Sequence, residues 1–132
     1  MTKSKLPRIS PSETEILQLL WQLGEATVQQ TCDHLPPQRR IAYATVQTLL
    51  RRLESKGYIT HRTEGKAHVF LPVAKREDVI KRSVSDFVNR LFGGDPIPLM
   101  HYLAEHGKIS TEDIEELKRL VEKQPPNSIR ER

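Results

Sequence analysis

The polar residues between Ala44 and Ser55 are spaced so that they share one face of an α-helix. The apolar residues of this stretch recur at intervals of three and four, the spacing of a buried helical stripe: Val46, Leu49, Leu50 and Leu53. The opposite face carries a small residue, an amide, hydroxyls and guanidinium groups: Ala44, Gln47, Thr48, Arg51 and Ser55, with Thr45 and Arg52 at its edge. Such groups suit base edges and phosphate oxygens. The pattern therefore predicts a helix that reads DNA.

Individual roles follow from the chemistry of each side chain. We expect Gln47 to bond an adenine edge bidentately and Arg51 to bind a guanine or a phosphate. Thr45 lies near the helix N-terminus, where a hydroxyl and backbone N–H groups hold phosphate together. Two interpretations of Tyr43 stay open, since its ring either lies against the DNA backbone or packs over Pro36. Basic residues of the neighbouring loop and hairpin are expected to contact DNA phosphate groups. The full predicted DNA-binding set is Arg39, Arg40, Tyr43, Thr45, Gln47, Thr48, Arg51, Arg52, Arg62 and Lys66.

Two shorter helical patterns precede this helix and would position it. Ser10 and Glu13 predict a capping box at the start of the first helix, which Gly24 ends. Thr27 caps a second, shorter helix that stops before two prolines. The second and third helices are separated only by a short loop, which is typical of a helix-turn-helix variant.

A short β-hairpin is predicted directly after the third helix. Residues 58–62 and 67–71 have the composition of strands, and residues 63–66 form the turn, with Gly65 supplying the positive φ. Three helices followed by a basic hairpin predict a winged helix-turn-helix over residues 1–74. The predicted fold class is therefore mostly α with one small β-hairpin.

The rest of the chain is predicted to be a three-helix dimerisation region over residues 75–124, followed by a disordered tail over residues 125–132. Three short helices cannot close a good core by themselves. A second copy is the simplest partner, and packing against the chain's own first module is the alternative. The residues expected to form the dimer face are Val84, Phe87, Val88, Leu91, Phe92, Leu99, Leu103, Leu117 and Val121.

Charge and composition favour a nucleic-acid partner and argue against a membrane. The net charge is +4, and all of this excess lies in residues 1–74, because residues 75–132 are balanced. The sequence contains no run of about 18 apolar residues, so membrane insertion is not predicted. The N-terminus lacks the apolar stretch of a signal peptide. Cys32 is the single cysteine, which excludes an internal disulfide and fits a reducing cytoplasm.

Enzyme, metal and cofactor functions are not predicted. The sequence has no phosphate-binding glycine loop, no HExxH motif and no nucleophile elbow. His61 and His68 could meet across the hairpin, but two ligands alone make a poor metal site. Cys32 shares an apolar helix face, which favours an inert thiol over a redox sensor. The competing class that stays open is a winged helix used as a protein-interaction module.

Three segments taken together resemble the penicillinase and methicillin-resistance repressor family of bacteria. They are SPSETEILQLLWQLGEATVQQ, then ATVQTLLRRLESKGYI, and then the hairpin with GKAHVFLPV. The segment FVNRLFGGDPIPLMHYLAEHGKISTEDIEELKRLVE is similar to that family's dimerisation region. The resemblance covers residues 8–124 and implies a homodimeric winged-helix repressor that binds palindromic operators of double-stranded DNA.

The same resemblance bears on how such a repressor is switched off. Antibiotic-responsive members are inactivated by cleavage in the C-terminal region, under the control of a membrane sensor protease. The candidate cleavage region in this chain is Met100, His101 and Tyr102. A copper-responsive branch carries a C-terminal cysteine cluster, which this chain lacks. A dual activator and repressor with another inducer remains an alternative.

Overall fold

A computed structural model of the chain describes residues 6–39 and 41–124. The described residues are mostly helical, with one antiparallel hairpin. The elements in chain order are α1 Pro11–Leu23, α2 Val28–Asp33, α3 Tyr43–Ser55, β1 Ile59–Glu64, β2 Ala67–Pro72, α4 Arg76–Phe92, α5 Ile97–Glu105 and α6 Thr111–Glu122. The predicted tail over residues 125–132 lies outside the described residues.

The chain divides into two compact units, one ending at Arg82 and the other beginning at Ser83. The division falls inside α4, beyond the predicted boundary at residue 74. The reason is that Ala74 and Val79 still pack against the core of the first unit. Which part of the chain folds on its own stays a prediction.

The first unit closes its own apolar core between the three helices and the hairpin. Each helix contributes its apolar stripe, and the residues that are almost fully buried include Ile16, Leu17, Leu20, Val46, Leu50 and Leu53. The predicted caps are confirmed, because Ser10 forms a capping box with Glu13, and Thr27 forms one with Gln30. These local signals fix where α1 and α2 begin, and burial of the stripes then packs them against α3.

The hairpin is confirmed, but its predicted four-residue turn is wrong. Glu64 pairs with Ala67, so only Gly65 and Lys66 form the turn. Gly65 has a φ of 62° and supplies the left-handed position that a two-residue turn requires. Strand β1 therefore extends two residues further toward the tip than predicted, whereas β2 begins at Ala67 as predicted. Ala26 forms an isolated bridge with Phe70, which adds a short third segment beside β2.

The second unit has helices but little buried apolar surface. Neither α5 nor α6 contains a buried residue. The large apolar side chains of this unit that stand exposed are Val84, Phe87, Leu91, Ile97, Met100, Tyr102, Ile114, Leu117, Leu120 and Val121. No helix among residues 6–39 and 41–124 is long and apolar enough to cross a membrane.

Candidate nucleic-acid interface

Helix α3 presents the predicted polar face to solvent. Val46, Leu50 and Leu53 are fully buried on the side that packs against the core. On the other side the side chains are exposed or, for Gln47, half-buried; the exposed ones are Ala44, Thr45, Thr48, Arg51, Arg52 and Ser55. Packing of the apolar stripe therefore fixes the rotation of α3 and directs this polar face outward.

Helix α3 begins without a side-chain cap. Its N-cap is Ala42, whose side chain makes no capping hydrogen bond. The first N–H groups of the helix are consequently left for solvent or an anion, and the helix dipole favours negative charge there. Thr45 stands exposed in this first turn, as the phosphate hypothesis requires. The Thr48 hydroxyl instead donates to the carbonyl of Ala44 at 3.0 Å.

The cations of this surface fall into two groups. Arg51, Arg52 and Lys66 are exposed and form no ion pair within the part of the chain that the structure describes. Free guanidinium and ammonium groups lose only hydration when they meet phosphate oxygens or a base edge. These three side chains can therefore bind DNA without first breaking an ion pair with a described residue.

Arg39 and Arg62 are already paired with carboxylates. Arg39 Nε lies 3.0 Å from Glu15 Oε1. Arg62 binds Glu25 in a bidentate manner, at 2.7 and 3.0 Å, and also contacts Glu64 at 3.1 Å. The hydrogen bond from Arg62 lowers the pKa of Glu25. Part of each guanidinium is therefore already engaged, more of it in Arg62, which uses both Nη atoms, than in Arg39, which uses only Nε.

Two further residues of the predicted DNA-binding set are Arg40 and Tyr43, and the structure describes only Tyr43. Arg40 lies outside the described residues. The ring of Tyr43 is 50 % exposed at the start of α3, so it is accessible to a ligand. Its contact with DNA stays a prediction.

The histidines of the hairpin do meet, as the sequence suggested. The rings of His61 and His68 stack with centroids 4.3 Å apart. His61 Nδ1 lies 2.7 Å from Glu54 Oε2, which ties β1 to the last turn of α3. Among the described residues, no three His, Cys, Asp or Glu side chains are grouped as a metal would need. Cys32 is half-buried, and burial raises the pKa of its thiol.

The predicted dimer residues lie on the three helices around Ser83 to Glu122. Val88 is buried, and Phe92, Leu99 and Leu103 are half-buried. The other members are exposed: Val84, Phe87, Leu91, Leu117 and Val121. Their role in dimerisation stays a prediction.

The candidate cleavage region lies inside α5. Met100, His101 and Tyr102 are exposed, and the Tyr102 ring stacks on His106 with centroids 4.0 Å apart. Cleavage there therefore requires local unfolding of a helix that buries no side chain.

Sequence reasoning missed the carboxylates that hold the basic residues. Glu15 and Glu25 lie 24 and 37 residues from their arginine partners. No periodic pattern connects residues so far apart, and each glutamate taken alone looks like an ordinary surface charge. A bridge such as Ala26–Phe70, which brings Glu25 beside the hairpin, is visible only in the folded chain.

Comparison with known proteins agrees with this geometry. The sequence model described as penicillinase repressor matches residues 9–123. The penicillinase repressor of Bacillus licheniformis is 29 % identical over 118 residues, covering 89 % of this chain and 92 % of the relative. The methicillin resistance regulatory protein MecI of Mammaliicoccus sciuri is 25 % identical, covering 91 % of this chain and 98 % of the relative.

A solved structure matches more than half of the chain. The DNA-binding domain of the repressor BlaI, determined in solution, is 30 % identical with a TM-score of 0.50, covering 56 % of this chain and 90 % of that domain. The chain therefore belongs to the penicillinase repressor family and has the winged-helix fold of its repressors.

Proposed function

We propose that the chain is a transcriptional repressor that binds double-stranded DNA through α3 and the hairpin, as a homodimer on a palindromic operator. The observation that carries the proposal is the outer face of α3. It combines an amide, hydroxyls and two guanidinium groups that form no ion pair with a described residue, on a helix whose opposite side is buried in the core. Family membership supports the same function.

Dimerisation is supported by the exposed apolar residues of the second unit. A large exposed apolar surface is uncommon on a stable monomer and marks an interaction site. A two-fold dimer presents the same patch from both copies and places two reading helices on two half-sites. We assign the dimer contact to the apolar faces of α4, α5 and α6.

The proposed mode of action is occupancy of DNA rather than catalysis. A repressor acts by binding, and membership of a repressor family supports a non-enzymatic role. Because the proposed binding partner is operator DNA, the proposed site of action is the cytoplasm of a bacterium.

Substitution of Arg51 tests the proposed reading face. A duplex recovered by the full chain from a random DNA library serves as the probe, and affinity is measured by gel shift at moderate salt. Arg51→Ala is expected to cost about 1–3 kcal/mol and to relax base preference at one position if the guanidinium reads a guanine. Lys66→Ala is the matched control, because loss of a phosphate contact weakens all sequences alike.

Two results would contradict this assignment. If Arg51→Ala binds as tightly as the wild type, then the recognition face is misplaced. If the wild-type chain retains no duplex at moderate salt, then the winged helix is a protein-interaction module instead.

Cleavage in α5 is the proposed route of induction, with a membrane sensor protease system as the partner. A cut after Met100 would separate the last helix from α4 and so divide the dimer face. When the two DNA-binding units of the dimer are no longer connected, operator occupancy falls by a factor of roughly 10²–10⁴. A protease site engineered after Met100 gives the measurement: cutting the purified chain should release operator DNA in a gel shift. Full affinity after complete cleavage would exclude this route.

A further inference from the structure

Two carboxylates hold the guanidinium of Arg62 in the hairpin. Glu25 Oε1 accepts a hydrogen bond from Nη1 at 2.7 Å, and Glu25 Oε2 accepts one from Nη2 at 3.0 Å. Glu64 Oε2 accepts a further hydrogen bond from Nη2 at 3.1 Å. We call Glu25, Arg62 and Glu64 the Arg62 cluster. Since it combines one cation with two carboxylates, the cluster as a whole is an anion.

The carboxylates occupy the donors with which Arg62 would bind a phosphate most tightly. An arginine binds a phosphate best when two parallel N–H groups on one edge of the guanidinium point at two oxygens. Glu25 takes the edge formed by Nη1 and Nη2, and Glu64 takes the second N–H of Nη2, on the edge shared with Nε. The remaining N–H groups, on Nε and Nη1, lie on different edges. A bidentate phosphate contact therefore requires Glu25 or Glu64 to release the guanidinium.

The backbone fixes Glu25 beside the hairpin. Its neighbour Ala26 is buried, and Ala26 and Phe70 exchange two backbone hydrogen bonds, of 2.9 and 2.8 Å. On the other side Gly24, with a φ of 88°, ends α1 directly before Glu25. Strand β2 lies between the Ala26 bridge and β1, which carries Arg62. The position of the Glu25 carboxylate beside Arg62 therefore follows from the fold of the first unit.

The Arg62 cluster also cancels the positive charge of the hairpin. Residues 59–72 contain two cations, Arg62 and Lys66, and one carboxylate, Glu64. Glu25 adds a second carboxylate, and the hydrogen bond from Arg62 lowers its pKa, so that it is ionised at neutral pH. With neutral histidines, these four charges balance. The hairpin therefore approaches a polyanion with no net charge, unlike the outer face of α3.

From these contacts we infer that Glu25 restrains DNA binding by withholding Arg62 from the phosphate backbone, and so lowers the part of the affinity that is independent of sequence. The side chains of Arg62 and Glu25 are 45 % and 49 % exposed, so a phosphate can reach the pair and displace the carboxylate. Exposed ion pairs are weak, which limits the restraint to a few-fold. Glu25 acts through Arg62 and is a positioning residue. This inference rests on the proposed DNA-binding function.

A double-mutant cycle in the full chain tests the inference. The chains are the wild type, Glu25→Gln, Arg62→Gln and the double variant, since Gln keeps the shape of Glu25 and removes its charge. Affinity is measured by gel shift at several salt concentrations, for the duplex recovered by the wild type from a random library and for an unrelated duplex of the same length. Glu77→Gln is the matched control, because Glu77 is exposed in the first unit and forms no ion pair with a described residue.

Removal of the carboxylate should strengthen binding to both duplexes. Glu25→Gln should raise each affinity by roughly three- to tenfold at low salt, since each bound chain gains a phosphate contact. Its slope of log affinity against log salt should steepen by about 0.9 per chain. Arg62→Gln should lose at least about threefold more affinity in the Glu25→Gln background than in the wild type, because only there is the guanidinium released. Glu77→Gln should stay within about twofold of the wild type, because salt screens a distant charge.

The cycle distinguishes release of Arg62 from a general effect of charge, because charge effects that do not pass through Arg62 cancel in it. Additive effects of Glu25→Gln and Arg62→Gln would overturn the inference. It would also be overturned if Glu25→Gln bound no more tightly than the wild type, or if Glu77→Gln gained as much. If the wild type retains neither duplex, then the proposed DNA-binding function fails, and this inference fails with it.

Discussion

The two units of this chain differ in how completely they bury their apolar residues. In the first unit the stripes of α1, α2 and α3 meet one another and the hairpin, and the side chains at their centre are inaccessible to solvent. In the second unit α5 and α6 bury no residue, and apolar side chains face solvent along all three helices. The first unit therefore has a closed apolar core, whereas the second leaves much of its apolar surface exposed, which is why we propose a partner for it.

Local signals are well formed in both units, so they do not explain the difference. Ser110 and Asp113 form a capping box at the start of α6, and the hydrogen bonds from Ser110 lower the pKa of Asp113. Asp95 accepts from the N–H of Ile97 at the start of α5. Helices of 9 and 12 residues are nevertheless marginal by themselves. Their stability has to come from burial, which a second copy of the chain would supply.

The largest stability difference is expected between two equivalent leucine truncations. Leu50 is fully buried in α3, and Leu120 is 50 % exposed in α6. Leu50→Ala should lower the free energy of unfolding by about 2–5 kcal/mol at any protein concentration, because it leaves a cavity. Leu120→Ala should have little effect in dilute solution and a growing effect as concentration rises, since binding of a partner stabilises the folded state by mass action. Urea unfolding at two concentrations measures both effects.

One result would contradict the proposed difference in burial between the two units. If Leu120→Ala is as costly as Leu50→Ala in dilute solution, then the second unit closes its own core as a monomer.

A smaller and pH-dependent effect is expected at Glu13. This carboxylate is 2 % exposed; burial raises its pKa, but hydrogen bonds from Lys56 at 2.8 Å and from Ser10 outweigh burial. The pKa therefore lies below its ordinary value of 4.5, so folding favours the charged form. That contribution is present above the unfolded pKa and is lost as pH falls through the folded one.

Glu13→Gln should accordingly cost roughly 1–3 kcal/mol near neutral pH, and its deficit should narrow as the pH falls below about 4.5. Glu116→Gln is the matched control, because Glu116 is exposed in the second unit. Thermal unfolding of both variants across this pH range provides the measurement. A deficit for Glu13→Gln that is independent of pH would mean that the charge of Glu13 does not stabilise the fold.

Periodicity and capping predicted most of the fold, because both act over three or four residues. The buried stripe of α3 and the caps at Ser10 and Thr27 lie where the sequence placed them. The predicted hairpin turn was too long, because the residues beside Gly65 also favour turns. Only the pairing of the two strands in the folded chain shows that Glu64 still belongs to β1.

The candidate site was predictable in its residue types but not in its pairings. The exposed side of α3 follows from its buried side. The ion pairs Arg62–Glu25 and Lys56–Glu13 do not, because they join residues 37 and 43 positions apart that carry no local signature. The hydrogen bonds from Lys56 and Arg82 to the backbone carbonyls of Arg8 and Leu6 were missed for the same reason, because every residue has a backbone carbonyl.

The most direct test of the contrast between the two units is sedimentation equilibrium of the full chain and of Leu91→Asp at micromolar concentration. Leu91 is 63 % exposed in α4, and Ser85→Asp, on the same helix, is the matched control. The wild type and the control should sediment at twice the 15.2 kDa of one chain, and Leu91→Asp should sediment as a monomer, since a charge is costly in a buried interface. A wild-type chain that sediments at 15.2 kDa across the range would contradict the account.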